Sequence, residues 1–330
     1  MVRVVITGGA GFIGSNLTRW WLAHHPDDQV TVFDALTYAG RRESIADLES
    51  NPKFSFVRGD ICDPSSVLTV LRGAEIVIHL AAETHNDRAI ASPLKFVETN
   101  AVGTATLLEA CRQLEIPRFH HVSTDEVFGS LSLDSPERFT EGSAYYPRGP
   151  YAASKASADH MVRAWHETYG LSVTLSNCSN NFGPNQFPEK LIPLAITRLL
   201  SGGKVPLYGD GQNVRDWIFV TDHCSALDLI VHRGRPGETY LVSAEKELPN
   251  LEVIRRILRC LGKSEDSIEW VADRAGHDRR YALDPRRVVT ELGWHPVHDF
   301  DQALAETVEW YRQNSQWWIP LTAAGPPVIR

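Results

Sequence analysis

At 330 residues, with 43% hydrophobic and 22% charged positions, the chain has the size and balance of a soluble globular enzyme, which excludes disordered and fibrous classes. Thirty-three basic against 41 acidic residues leave a formal charge of −8, so a general nucleic-acid binder is not expected, while anionic small ligands stay open to local basic clusters. The first apolar run, MVRVVIT, is broken by glycines, and no later run approaches the roughly 18 residues that cross a bilayer; no membrane partner and a cytoplasmic location are expected.

In chain order, VRVVIT, QVTVFD, FSFVRGD, AEIVIHLAA and RFHHVST read as strands, with helices from about Gly11 and through TNAVGTATLLEACRQL. Buried parallel strands are nearly continuous in Val and Ile and need helical crossovers, so this alternation implies βαβ units in a doubly wound, mostly parallel α/β sheet. After Tyr151 a helix, SKASADHMVRAWHETYG, leads to the strand LSVTLSN, and the rhythm then loosens. NNFGPNQFPEK, SGGKVPLYGDGQ and DRAGHDRR read as loops closing over a ligand, and the tail TAAGPPVIR as loose. The expected division is a Rossmann unit of residues 1–176 with 217–243 and a smaller C-terminal α/β substrate unit of 177–216 with 244–330. Cys62, Cys111, Cys178, Cys224 and Cys260 form no CxxC pair and are expected as buried structural thiols. His120 and His121 are strand neighbours that point to opposite faces, so no metal is expected.

Gly9, Gly11 and Gly14 satisfy GxGxxG, and Gly8, Gly11 and Gly14 the related GxxGxxG, directly after the first strand and opening a helix. Such glycines permit close backbone approach while a helix N-terminus offers free N–H groups to a pyrophosphate. Asp34, twenty residues beyond Gly14 at the end of the second strand, can accept both adenosine ribose hydroxyls. It favours NAD over NADP, although Arg41 and Arg42 follow closely and leave a 2′-phosphate open. Asp60 and Ile61 after the third strand are placed to border the adenine, and Leu80, Ala81 and Ala82 after the fourth the nicotinamide half.

Tyr151 and Lys155 in YAASK lie four apart on one helix face, where a cation beside a phenol favours the phenolate and brings its pKa down from about 10. STDEVFG sets Thr124, Asp125 and Glu126 in succession at a strand end, where open α/β sheets place ligands. Adjacent carboxylates can differ in protonation and serve as acid and base in an elimination; the alternative is that Thr124 and Asp125 merely cap a turn.

With these motifs in order, joined by LTYAG, GDICD, HLAAETHNDR, ETNAVGT, NCSNNFGP, FPEKLIPL, YGDGQNVRDW and DRAGHDRRYALD, the chain resembles the extended short-chain dehydrogenases/reductases, and among them the dTDP-glucose 4,6-dehydratases. The resemblance implies Tyr151 as base at the sugar 4-hydroxyl, Lys155 as its support, Thr124 as a partner of O4, Glu126 as base at C5 and Asp125 as acid at the 6-hydroxyl. It implies Phe12, Ile13, Ala35, Leu36, Thr37, Thr99 and Asn180 beside a resident NAD. For dTDP-glucose it implies Thr84, His85, Asn180, Glu189, Lys190 and Leu191 near the sugar, Pro206 and Tyr208 flanking the base, and Arg215, Asn250, Arg274 and His277 on the diphosphate or ribose. It further implies a homodimer built on helices around 97–114 and 152–169. Asn86, Thr84, Ala89, Phe128 and Phe182 depart from the usual pattern, which bears on the choice of hexose. A 4-epimerase, a UDP- or CDP-glucose dehydratase and an NAD-binding regulator remain the alternatives.

Overall fold

The structure, a computed structural model, describes residues 1–273 and 276–322. In chain order come β1 (Arg3–Thr7), α1 (Phe12–His24), β2 (Gln29–Asp34), β3 (Phe54–Arg58), α2 (Pro64–Leu71) and β4 (Ile76–His79). Then follow α3 (Asn86–Ala91), α4 (Pro93–Phe96), a π-helical stretch (Val97–Gly103), α5 (Thr104–Gln113), β5 (Arg118–Thr124), α6 (Pro150–Tyr169) and β6 (Val173–Cys178). Beyond β6 lie β7 (Asn180–Phe182), α7 (Leu191–Leu200), β8 (Val205–Tyr208) and β9 (Val214–Phe219), after which α8 (Val220–Arg233) and β10 (Thr239–Val242) return to the first sheet. β11 (Glu247–Pro249), α9 (Asn250–Leu261), β12 (Ile268–Val271), α10 (Arg286–Leu292), α11 (Phe300–Gln313) and α12 (Ser315–Thr322) complete the described chain.

Seven strands form one sheet in the order β10-β6-β5-β4-β1-β2-β3, and every pair is parallel. Successive side chains of a strand point to opposite faces, and both faces here are covered. Val4, Ile6, Ile76 and Ile78 pack with Leu17 and Trp21 of α1 and Leu227 of α8. Val5, Val77, Phe119 and Val173 pack on the other side with Leu107, Leu108, Cys111 and Val162. The doubly wound expectation therefore holds, for the reason the Val/Ile runs suggest.

A second core, with Phe182, Ile196, Trp217, Ile254, Ile257, Leu304 and Tyr311, lies under a three-stranded sheet, β11-β9-β7, and a two-stranded one, β12-β8. This region corrects the sequence reading: NNFGPNQFPEK contains β7, and SGGKVPLYGDGQ contains β8. Val205 and Leu207 are buried and Pro206 and Tyr208 half-buried, a period of two that flanking glycines and a proline disguise; a two-stranded sheet leaves β8 the free edge on which Pro is tolerated. The expected helix over 99–114 opens as the π-helical stretch and is α-helical only from Thr104. All five cysteines are unpaired, but Cys260 is exposed and Cys62 half-buried, so the expectation of buried thiols fails for those two. No helix among the described residues is long and apolar enough to cross a membrane. Residues 323–330 of the tail lie outside the described residues, as does Arg274.

Candidate active site

The strands of the large sheet all end on one side, and there a cavity of about 760 Å3 opens toward the second core. Its floor is the turn between β1 and α1. At Gly8, φ is +70°, and a side chain there would strike the Ala81 backbone at 2.6 Å; at Gly14 it would meet the Gly8 carbonyl at 2.3 Å. Only glycine gives this cradle, in which the N-terminus of α1 faces open space for a pyrophosphate. Gly11, Phe12 and Ile13 line it as well.

Asp34 closes one end. The Ala10 and Leu36 N–H groups donate to its two oxygens at 3.0 and 2.8 Å; burial raises its pKa, and these two donors partly offset the rise. Ala35, Thr37, Asp60, Ile61, Leu80, Ala81, Ala82 and Thr99 also line the cavity. Leu36 does not: at φ +54° it turns its side chain into the core beside α1 and leaves only its N–H to Asp34. Arg41 lies 3.5 Å from Glu43, and Arg42 pairs with Glu49 at 2.7 Å over the Phe56 ring; neither lines the cavity. A glycine cradle, a helix N-terminus and a ribose-height carboxylate without a basic partner in the wall fit a dinucleotide without a 2′-phosphate.

Across the cavity stand the chemical groups. Thr124, Asp125, Glu126, Tyr151, Lys155 and Asn180 share one wall. Thr124 does cap the short 3-10 turn Asp125–Phe128, accepting the Glu126 N–H at 3.3 Å, and it also donates to Asp125 Oδ1 at 3.2 Å, so the capping alternative and a place at the site are both realised. Asp125 is 2% exposed. Burial, then the neighbouring Glu126 charge, push its pKa well above the usual carboxylate range against a lowering by the Arg215 charge, which favours its protonated form.

The tyrosine differs from expectation. Tyr151 is buried, and burial followed by the Glu126 charge raises its pKa, against a smaller lowering by Thr84. Lys155 does not counter this: its ammonium turns into the sheet, donating to the Val122 carbonyl at 2.9 Å and lying 3.4 Å from His121 Nε2. Burial depresses the Lys155 pKa in turn, with Asp159 behind it opposing that shift. His121 pairs with Asp159 at 3.2 Å on one face of β5, while His120 on the other meets Thr174 and Ser176.

The second region supplies the rest. Thr84, His85, Glu189, Lys190, Leu191, Pro206, Tyr208, Arg215, Asn250 and His277 all line the cavity. Arg215 is 8% exposed, donates only to the Val214 and Asp278 carbonyls and stacks over Tyr281 at 4.4 Å. Among the described residues no carboxylate lies within ion-pair distance of it, although its charge acts on Asp125, so a buried cation lines the cavity where an anionic ligand can meet it. Buried Asp125 Oδ2, Asn180 Oδ1 and Asn250 Oδ1 have no hydrogen-bond partner among the described residues.

The sequence of the chain matches the profile of the GDP-mannose 4,6 dehydratases over residues 5–307. It belongs to that family. Within the family it is 52% identical to a dTDP-glucose 4,6-dehydratase of Mycobacterium tuberculosis, covering 98% of this chain and 97% of that one. A Salmonella typhimurium dTDP-glucose 4,6-dehydratase is 45% identical, at 96% and 94% coverage. The crystal structure of DesIV, a dTDP-glucose 4,6-dehydratase from Streptomyces venezuelae with NAD bound, is 48% identical with a TM-score of 0.95, covering 97% of this chain and all of that one. A UDP-glucose 4-epimerase from Thermus thermophilus is more distant, at 30% identity and a TM-score of 0.86.

This member of the dehydratase family also uses residues that motif reading passes over. Tyr38 donates to the Thr84 carbonyl at 2.8 Å and to Glu189 at 3.0 Å, and Arg88 stacks over Tyr38 at 3.6 Å while holding Glu189 at 3.1 Å. Glu189 is thus engaged in tying the loop after β2 to the segment before α7. A tyrosine in LTYAG and an arginine in HNDR were visible in the sequence, but nothing local to either motif signals their meeting. Elsewhere, His25, Asp228 and His232 bring donor atoms within 4.8 Å of one another at the α1–α8 joint, where Asp228 accepts from both rings and from Trp20.

Proposed function

We propose that the chain converts dTDP-glucose to dTDP-4-keto-6-deoxyglucose. The observation that carries this reading is the meeting, in one cavity, of the Tyr151/Lys155 helix with the buried Asp125 and its neighbour Glu126. The family relationship and the 4,6-dehydratases most similar to the chain support the same chemistry.

Bound NAD+ would supply a hydride acceptor for C4 of the sugar and a hydride donor for C6, and its positive charge would favour the Tyr151 phenolate. Gly8, Gly11 and Gly14 with the N-terminus of α1 would hold its pyrophosphate, and Asp34 its ribose hydroxyls. Tyr151 takes the 4-hydroxyl proton, with Thr124 beside O4 and Lys155 fixing α6 against β5. Oxidation at C4 makes the C5 proton α to a carbonyl, so Glu126 removes it. Asp125, kept protonated by burial, gives its proton to the departing 6-hydroxyl, and water leaves. Glu126 then returns a proton to C5. Arg215 and Asn250 face the diphosphate, with Lys190, His277, Pro206 and Tyr208 around the nucleoside. A 4-epimerase makes no use of the Asp125–Glu126 pair.

In this reading residues 1–176 with 217–243 form the NAD unit and 177–216 with 244–330 the nucleotide-sugar unit, supported by the separate second core, to which Trp217 and Phe219 also contribute. The protein acts in the cytoplasm as a homodimer, in keeping with Leu94, Val97 and Val102, which stand exposed on the face of α4 and the π-helical stretch. Incubation with dTDP-glucose should yield a product lighter by one water, read by mass spectrometry. Glu126→Gln should slow its formation about a thousandfold or more, whereas a C4 change without mass loss would replace this reading by epimerisation.

A further inference from the structure

Glu126 is set among groups that crowd an anion. Asp125 precedes it, and its charge raises the pKa of Asp125, Tyr151 and Tyr281 alike. A carboxylate so placed needs a donor to settle its orientation. That donor is Asn86, whose Nδ2 gives a hydrogen bond to Glu126 Oε2 at 3.1 Å. Among the described residues no other side chain donates to it.

Asn86 reaches Glu126 from a different strand end. It is the first residue of α3, half-buried in the cavity wall, and it follows His85, whose φ of +83° lies in the left-handed region that a histidine rarely adopts. Backbone held in such a conformation persists where surrounding contacts over-determine it, and sites of function are where it gathers. Asn86 Oδ1 also faces Gly149 at the start of α6, where a side chain would stand 3.8 Å away. One amide thus bonds the turn that carries both acids and lies near the start of the helix that carries Tyr151.

We propose that Asn86 is the positioning residue for Glu126. It holds Oε2 and so aims Oε1 at the C5 proton, while taking no part in hydride removal at C4. This rests on the dehydratase reading above.

The test compares wild type, Asn86→Leu, Asn86→Ala and Asn86→Gln as NAD-loaded enzymes with dTDP-glucose in D2O. It follows reduced nicotinamide by its near-ultraviolet absorbance in single turnover, and deuterium at C5 and water loss by mass spectrometry. Asn86→Leu should leave the oxidation phase within about twofold and slow elimination roughly tenfold, the loss of one charge-assisted hydrogen bond, so that reduced cofactor accumulates. Asn86→Gln, which keeps the donor, should recover most of the rate, and Asn86→Leu added to Glu126→Gln should cost nothing further. Should the leucine variant misfold, the alanine variant carries the same expectations. Unchanged elimination, equal slowing of both phases, or full additivity with Glu126→Gln would overturn the proposal. Failure of wild type to release water would instead overturn the dehydratase reading.

Discussion

Burial decides what Asp125 can do. Two adjacent acids are legible in STDEVFG, but which one keeps its proton is not, because desolvation depends on what the fold places around it. The folded-state pKa lies well above the ordinary value, so between the two the folded chain holds a proton that the unfolded chain has lost. This stabilisation is complete below the unfolded value and falls as pH rises through the window up to the folded one. Asp125→Asn removes the penalty: without ligands its melting temperature should exceed that of wild type by about 2 °C or more at neutral pH, the gap closing below about pH 4. The same variant should lose water elimination about a hundredfold or more. Tyr151 shows the limit of spacing arguments. Four residues put Tyr151 and Lys155 on one face, yet the Lys155 Nζ goes to the Val122 carbonyl, a strand neighbour that no helix pattern contains. Asn86 could be marked in sequence only as a departure; its partner is forty positions away. At Arg215, the buried cation of the cavity, Arg215→Met keeps the bulk and removes the charge, and calorimetric titration with dTDP should show affinity reduced about a hundredfold.

Among elements, two glycines separate structural from conformational demands. Gly14→Ala would push a methyl group against the Gly8 carbonyl and the Gly9 Cα, backbone that cannot step aside, so α1 can no longer close on β1. A loss of about 1–3 kcal/mol in urea unfolding is expected, together with lost NAD binding by fluorescence titration. Gly170, the left-handed cap of α6 at φ +70°, has open space around it. Gly170→Ala should cost about 1 kcal/mol and leave turnover unchanged. The strands of the first sheet were readable because burial on both faces writes continuous Val and Ile. β7 and β8 were not, since three- and four-residue strands beside glycine and proline carry too little period to stand out. The π-helical stretch before α5 leaves no composition signal, as its residues suit an α-helix equally.

For the whole molecule, net charge misleads about ligands: a chain at −8 presents a buried arginine to its cavity. A second core beyond β6 was traceable through the loss of βα rhythm, whereas the clamp on Glu189 reaches 151 positions back to Tyr38 and 101 to Arg88 and was invisible. Leu94 and Val102, 81% and 52% exposed, belong to the apolar face that the homodimer reading proposes as its interface. Leu94→Asp with Val102→Glu should shift sedimentation equilibrium from dimer to monomer mass at micromolar concentration; wild type at monomer mass would end the homodimer reading.

The last strand of the large sheet has a consequence for synthesis. β6 is finished at Cys178, but β10, which pairs with it, begins only at Thr239. At about 5–20 residues per second a ribosome leaves the outer edge of β6 without its neighbour for roughly 3–12 s. During that interval the nascent sheet presents unpaired amide and carbonyl groups of a strand whose six residues are all buried in the finished protein. A chain stalled in this stretch is an open template for its neighbours on a polysome, and the interval is where a holdase would find its client.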